Sequence, residues 1–225
     1  DYPTLDAVQF DNIQSAATSN HNTLFLDSAG NIRNTFGASV IDGQFNSLKG
    51  VDYTSIYSSS YHADYHCFLA MRSDGHLIGF NLNGTVETLS TDGTIQDYQG
   101  SKYFNGQAAC VIQNADSTLT SITNSALSFS VSGTASEALP TSTKFKSWHL
   151  GPELAVGLTD AGSIVDWGDD RGSLSAAPAS QNPIVSCGAG YRKAWYVDSN
   201  GQLTSWGNSS SLLRMSSRPV LSILD

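Results

Sequence analysis

Charged residues are scarce in this sequence. Asp, Glu, Lys and Arg make up only 14% of the 225 residues, against roughly 25% in a typical soluble domain. Basic residues are the rarer kind, with 11 Lys and Arg against 20 Asp and Glu and a net charge of -9. Phosphate backbones and anionic membrane surfaces attract clustered Lys and Arg, but the densest basic group here is the pair Arg192 and Lys193. The composition therefore argues against nucleic acid and against a membrane surface as partners.

Long apolar runs and the usual enzyme motifs are missing as well. No apolar run approaches the roughly 20 residues that cross a bilayer, so we predict no membrane insertion. The sequence contains no GxSxG elbow, no HExxH, no Walker loop and no GxGxxG. Those are the short motifs whose catalytic or nucleotide-binding geometry is understood. We therefore predict that the protein is not an enzyme and holds no cofactor.

Cysteine is also rare, with Cys67, Cys110 and Cys187 as the only three. An odd number cannot pair completely, and the CxxC spacing of many metal sites does not occur. Each cysteine lies in an apolar run typical of a strand. We predict three buried free thiols that act as small hydrophobic side chains.

Patterns of metal ligands are weak. His62 and His66 are four residues apart, a spacing that shares one face on a helix but not on a strand. Asp166, Asp169 and Asp170 form the densest acidic cluster. Such carboxylates can bind calcium, although a solvated turn accounts for them better. We predict no metal site.

One pattern recurs five times: an apolar strand, an Asp/Gly-type turn, a second apolar alternation and a large apolar stop. The turn position falls at Gly30, Gly75, Ser117, Gly162 and Gly201, at intervals of 45, 42, 45 and 39 residues. An aliphatic residue follows two positions later in every copy: Ile32, Leu77, Leu119, Ile164 and Leu203. A large apolar residue follows five or six positions after the turn: Phe36, Phe80, Ile122, Trp167 and Trp206. A period of about 43 residues indicates a repeat architecture.

The repeat has a simple physical basis. Asp caps the amides of a short turn, and glycine adopts the positive φ that such hairpin turns require. Alternation places one side of a strand in the core. A further strand is predicted before each hairpin, in residues 11–17, 52–58, 95–103, 145–151 and 183–190. A shorter strand, sometimes with proline, precedes that one.

These units predict an all-β chain. Four short strands in a unit of this length are typical of a propeller blade, so we predict a β-propeller of about five four-stranded blades. We expect one domain over residues 1–225. Its approximate repeats are 1–45, 46–90, 91–135, 136–178 and 179–225.

The fourth and fifth copies are the most regular. They read VGLTDAGSIVDWGDDRGSLSAAP and NPIVSCGAGYRKAWYVDSNGQLTSWGNSSSLL. Within residues 150–215 this pattern resembles the repeats of the regulator of chromosome condensation family, which also join an Asp/Gly turn to Trp-Gly, a polar loop and a Gly-rich inner strand. The resemblance implies a propeller. It leaves the function open, because members of that family serve as nucleotide-exchange factors, enzyme inhibitors and adhesion modules.

The resemblance also raises the question of ring closure, because that family usually has seven blades and this chain shows five copies. A Pro-bearing strand motif occurs near both ends, in residues 2–5 and 218–221. In the arrangement we favour, the last strand completes the first blade and closes the ring within the chain. In the alternative, a terminus reaches a neighbouring subunit or the rest of a longer protein.

A candidate binding surface follows from the repeat. The position nine residues before each turn lies in the loop that enters the strand before the turn, and in a propeller such loops gather at one end of the channel. Aromatic, His and charged side chains at this end are typical of a recognition surface, although packing between blades would explain them too. The predicted binding residues are His21, Tyr65, His66, Tyr103, Glu153, Tyr191 and Arg192.

The composition favours recognition over catalysis. Low charge, abundant Ser, Thr and Asn, and a sequence that begins at Asp1 instead of Met are typical of a processed, exposed protein. We predict a non-catalytic recognition or structural protein displayed on a virion or outside a cell. It would contact another protein, a surface receptor or a surface glycan, or assemble with other copies or particle proteins. The alternatives are a propeller-type enzyme inhibitor and a nucleotide-exchange factor for a small GTPase.

Overall fold

Five antiparallel sheets follow one another along the chain. The computed structural model describes residues 12–18, 23–34, 51–58, 67–81, 84–102, 108–124, 126–127, 139–151, 154–168, 177–190 and 193–207. Every regular element in those residues is a β-strand. The predicted all-β fold class is confirmed.

Each sheet has a first, a middle and a third strand in chain order, and only neighbouring strands pair. Sheet 1 comprises β1 (Ile13–Thr18), β2 (Thr23–Asp27) and β3 (Ile32–Asn34). Sheet 2 comprises β4 (Tyr53–Ser58), β5 (Cys67–Arg72), β6 (Leu77–Asn81) and a fourth strand, β7 (Val86–Ser90). Sheet 3 comprises β8 (Asp97–Lys102), β9 (Ala108–Gln113) and β10 (Leu119–Ile122). Sheet 4 comprises β11 (Phe145–Leu150), β12 (Ala155–Thr159) and β13 (Ile164–Trp167), and sheet 5 comprises β14 (Ile184–Gly190), β15 (Lys193–Asp198) and β16 (Leu203–Gly207).

The same turn joins the middle strand to the third strand in all five sheets. Its last residue has a positive φ: 81° at Gly30, 84° at Gly75, 68° at Ser117, 83° at Gly162 and 77° at Gly201. The amide of that residue donates to the carbonyl three positions earlier, at 2.9 to 3.0 Å in every copy. This is a short hairpin turn that ends in a left-handed residue. The predicted turn positions are therefore confirmed, including the copy without glycine.

Successive residues of a middle strand point alternately toward the preceding sheet and toward the next sheet. On β5, Phe68 and Ala70 pack against sheet 1, whereas Leu69 between them packs against sheet 3. On β12, Ala155 packs in the cluster shared with sheet 3, and Val156 packs in the one shared with sheet 5. We call the side toward the preceding sheet the rear face and the side toward the next sheet the forward face. Each of the four junctions between consecutive sheets thus contains its own hydrophobic cluster.

Hydrogen bonds made by polar side chains also connect consecutive sheets at two of these junctions. Between sheets 2 and 3, the hydroxyls of Ser55 and Tyr98 are 2.8 Å apart. Between sheets 3 and 4, the buried Gln99 amide donates to the carbonyl of Trp148 at 2.9 Å and accepts from the amide of Leu150 at 3.0 Å. Gln99 thus extends the hydrogen bonding of β8 onto the first strand of the next sheet.

The first strands lie side by side in chain order: β1 contacts β4, β4 contacts β8, β8 contacts β11, and β11 contacts β14. Sheets that stack face to face around a line of first strands have the arrangement of a β-propeller. The prediction of four strands in each unit is met among the described residues only by sheet 2, where β7 pairs with β6. The proposed outer strands in residues 2–5 and 218–221, and the stop residue Phe36, lie outside the described residues.

Candidate functional site

The candidate site is the set of loops that join the first strand to the middle strand of each sheet. We call them the joining loops; they comprise residues 19–22, 59–66, 103–107, 151–154 and 191–192. The seven predicted binding residues all fall in this one kind of loop: His21, Tyr65, His66, Tyr103, Glu153, Tyr191 and Arg192. All seven lie outside the described residues, so their role in binding stays a prediction. The strands on either side of each loop are described, and they give the five loops equivalent places in the fold.

The joining loop of sheet 4 lies against the end of β14 in sheet 5. A Cβ built on Gly151 would lie 2.8 Å from the carbonyl oxygen of Gly190 and 3.1 Å from the carbonyl carbon of Ala189. The amide of Gly151 also donates to the carbonyl of Leu154 at 3.0 Å, which closes the loop that contains Glu153. Only glycine fits this approach, because real Cβ contacts do not come so close to backbone atoms. The loop of sheet 4 therefore lies directly beside the end of β14, the strand that leads into the joining loop of sheet 5.

His149 stands at the edge of this contact and was not singled out from the sequence. It is half-buried on β11, and its ring hydrogen-bonds the backbone of Ala189 on β14. Burial lowers the pKa of His149, and the hydrogen bond to Ala189 offsets part of that effect. A neutral imidazole in this place connects the first strands of two sheets. The nearby Gly151 could have indicated the site, because a glycine directly after a strand often marks a close approach.

The hairpin turns occupy the opposite end of each sheet. Acidic side chains cap the turns of sheets 1, 2, 3 and 5, and the hydroxyl of Thr159 caps that of sheet 4. Asp116 accepts from the amide and the hydroxyl of Thr118, at 3.1 and 2.6 Å. Asp198 accepts from the side chain of Asn182 at 2.8 Å and from the amide of Gln202 at 2.9 Å. The side-chain and backbone hydrogen bonds from Thr118 lower the pKa of Asp116, and the bonds from Asn182 and then Gln202 lower that of Asp198. These carboxylates are engaged in turn structure and are ionised at neutral pH.

The prediction of buried cysteine side chains is confirmed for Cys67 and Cys110, whereas Cys187 is only half-buried. Burial raises the pKa of the Cys110 thiol, and the neighbouring Cys67 raises it further. Burial also raises the pKa of Cys187. Because a thiolate is the reactive form of cysteine, Cys110 and Cys187 stay protonated and unreactive at neutral pH.

The acidic cluster noted in the sequence divides in the structure. Asp166 is buried and accepts a hydrogen bond from Trp206, whereas Asp169 and Asp170 lie outside the described residues. Within the described ranges, no three His, Cys, Asp or Glu residues lie close enough to hold one metal ion. In the same ranges, no helix is long and apolar enough to span a membrane.

Repeated sheets, stacked face to face around their first strands, define a β-propeller. No protein-family profile matches the sequence, and no curated protein matches it by sequence comparison. Solved propellers do match the structure. The CRINKLY WD40 ectodomain of the Arabidopsis thaliana receptor kinase ACR4 gives a TM-score of 0.62 at 12% identity, over 87% of this chain and 68% of that one.

Two further structures match to a similar degree. The ectodomain of the Physcomitrella patens receptor kinase CR4 gives a TM-score of 0.59 at 13% identity, over 83% of this chain and 49% of that one. Prp20p from Saccharomyces cerevisiae gives 0.58 at 16% identity, over 87% of this chain and 57% of that one. The chain therefore spans between about half and two thirds of the proteins that it matches. At these identities the similarity establishes the fold, and membership of the regulator of chromosome condensation family stays a prediction.

Proposed function

We propose that the protein is a non-catalytic recognition module that binds another protein or a surface receptor through its joining loops. The observation that carries this proposal is the repetition of one loop position in five stacked sheets. Gly151 in the loop of sheet 4 lies against Gly190 at the end of β14, directly before the loop of sheet 5. Neighbouring loops of this kind would present their side chains to one partner.

The residue types in these loops support recognition. Tyrosine, histidine and arginine offer apolar area together with hydrogen-bonding groups, and Tyr and Arg are enriched among the residues that dominate binding energies. The hairpin turns at the other end are a weaker candidate, because their carboxylates are already bound by their own turns. A surface glycan is an alternative ligand, since aromatic rings also stack on sugar rings.

Propellers of known structure give this proposal a precedent at the level of the fold. Prp20p binds Gsp1p and histones, and in another structure Kap60 is bound to the same yeast protein. The ectodomain of ACR4 belongs to a receptor kinase. Display on a virion or outside a cell remains part of our proposal, and its support is the low charge and the polar, uncharged surface composition.

The test compares two triple variants in affinity purification from the native source. Tyr65→Ala, Tyr103→Ala and Tyr191→Ala together remove three loop aromatics. The control combines Thr88→Ala, Lys146→Ala and Gln202→Ala, which lie at exposed positions outside the joining loops. A partner retained by the wild type and the control but lost from the loop variant, with unchanged melting temperatures, would support the proposal. Equal partner recovery by all three proteins, or a large loss of stability in the loop variant alone, would contradict it.

Two alternative functions make different predictions. The fold shared with Prp20p favours testing nucleotide exchange, which predicts faster release of a fluorescent GDP analogue from a small GTPase. An enzyme inhibitor would instead bind a soluble enzyme tightly in a one-to-one complex. Either result, abolished by the tyrosine variant, would replace the broader proposal with the specific function.

A further inference from the structure

The aliphatic residue two positions after each turn lies on the forward face of its sheet. Ile32, Leu77 and Leu119 are at most 1% exposed, and Ile164 is partly buried in the cluster between sheets 4 and 5. Leu203 holds the same position in sheet 5 and is 37% exposed. The forward face of sheet 5 therefore repeats the apolar pattern of the other four, but no other sheet covers it among the described residues.

A matching position occurs on the rear face, at the start of the first strand. Ile13, Tyr53, Phe145 and Ile184 each pair in register with the residue that begins the hairpin turn of their own sheet. Tyr53 and Phe145 are 3% and 1% exposed, and Ile184 packs into the cluster between sheets 4 and 5. Ile13 holds this position in sheet 1 and is 36% exposed.

These two positions meet at the existing junctions. Ile32 and Tyr53 share the cluster between sheets 1 and 2, Leu119 and Phe145 share that between sheets 3 and 4, and Ile164 and Ile184 share that between sheets 4 and 5. Leu203 and Ile13 are therefore the two halves of one more junction of the same kind. Among the described strands, those of sheet 5 make no extensive contact with those of sheet 1.

We propose that the forward face of sheet 5 binds the rear face of sheet 1 of a second copy of this chain, with Leu203 packed against Ile13. The half-buried Trp195 and Val197 extend the apolar surface around Leu203. Both complementary halves are exposed on one folded molecule, so a second copy supplies the partner surface that each half lacks. The resulting contact is head-to-tail, and such contacts build chains or rings of subunits.

The same register indicates that the contact is reversible. Lys193 stands on the forward face where sheets 2 and 4 carry the buried Cys67 and Leu154. An ammonium group resists burial, so this edge of the junction stays hydrated. One sheet face is also a small interface, and we expect a dissociation constant on the order of micromolar.

Cysteine cross-linking tests the direction of the contact. Ile13→Cys and Leu203→Cys proteins, mixed and oxidised, should form a disulfide-linked heterodimer, whereas each variant alone should form little disulfide-linked dimer. The wild type is the control for its three native thiols. If a protein that carries both substitutions instead forms an internal disulfide at high dilution, the ring closes within the chain and the proposal is wrong.

Sedimentation velocity tests the association itself. The weight-average sedimentation coefficient of the wild type should rise as the protein concentration is raised from about 1 to about 100 µM. Leu203→Glu should abolish that rise, while Thr88→Glu, which adds the same charge at an exposed position of β7, should leave it intact. A wild type that remains monomeric throughout this range would overturn the proposal without reference to any variant.

Discussion

Trp206 on β16 donates its indole N–H to the carboxylate of Asp166 on β13, with 3.1 Å between Nε1 and Oδ2. Both side chains are buried, and Trp206 belongs to the cluster between sheets 4 and 5. The contact joins the third strands of two consecutive sheets. Asp166 is thus part of the junction, in contrast to the solvated turn expected for it from the sequence.

Removing the indole donor should destabilise the protein. Trp206→Phe leaves the buried carboxylate of Asp166 without this hydrogen bond, while Trp167→Phe is a matched control. The indole nitrogen of Trp167 is also buried but has no acceptor among the described residues. The two variants lose the same side-chain volume, so we expect Trp206→Phe to lower the free energy of unfolding by about 1–3 kcal/mol more. Urea denaturation measures both; equal losses would show that the hydrogen bond contributes nothing.

The hairpin turns offer a stabilising substitution. Ser117 has a φ of 68°, a conformation that disfavours any residue with a Cβ. We expect Ser117→Gly to raise the free energy of unfolding by about 1 kcal/mol, and Gly162→Ala to lower it by a similar amount. Gly75→Ala should cost more than Gly162→Ala, because its Cβ would lie 2.6 Å from the Cα of Gly93, whereas nothing lies within 4 Å at Gly162. Thermal denaturation of the three variants checks this order, and a destabilised Ser117→Gly would contradict it.

Turn positions were predictable because their cause is local. An Asp/Gly-type sequence and a left-handed residue lie within five consecutive positions, and even the weakest copy places Ser117 at positive φ. The contacts between sheets were not predictable in this way. Trp206 and Asp166 are 40 residues apart, and Gln99 reaches backbone groups 49 and 51 residues away.

The candidate site shows the same difference between local features, which the sequence predicts, and contacts between sheets, which it does not. The sequence placed seven binding residues in one class of loop, and the strand order agrees with that placement. It did not indicate that the loop of sheet 4 touches the end of β14, because the approach of Gly151 to Gly190 depends on how two sheets stack. Stacking is a property of complementary side-chain shapes across a junction, and no periodic pattern within one repeat records it.

The bridge made by Gln99 should be sensitive to loss of its amide. Gln99→Leu replaces the amide with a somewhat shorter apolar side chain and leaves the carbonyl of Trp148 and the amide of Leu150 without their partner. We expect a loss of about 2–4 kcal/mol in the free energy of unfolding, since two buried backbone groups become unpaired. Gln202→Leu is the control, because Gln202 is exposed. A similar effect of both substitutions would mean that Gln99 does not link β8 to β11.

Two aspartates should respond to pH in opposite directions. Hydrogen bonds from Asn182 and Gln202 lower the pKa of Asp198 below its usual 3.8. Its stabilising contribution is therefore complete above that value and is lost as the pH falls through the folded-state pKa. Burial raises the pKa of Asp97, and hydrogen bonds from Tyr98 and Gln99 offset only part of that effect. The ionised form of Asp97 is thus disfavoured in the folded state, so its contribution becomes destabilising as the pH rises above 3.8.

Asparagine substitutions separate these effects. At about pH 7, Asp198→Asn should lower the free energy of unfolding and Asp97→Asn should raise it, because the first loses a favourable charge and the second loses a half-buried, partly desolvated charge. At about pH 3 both differences from the wild type should shrink, since the aspartates are then largely protonated in the unfolded chain. The asparagine side chain that replaces Asp97 can still accept the amide of Tyr98, which Asp97 accepts at 2.8 Å, so the gain in stability reports charge alone. Urea denaturation at the two pH values measures all four differences, and a stabilisation by Asp97→Asn that did not change with pH would rule out this electrostatic origin.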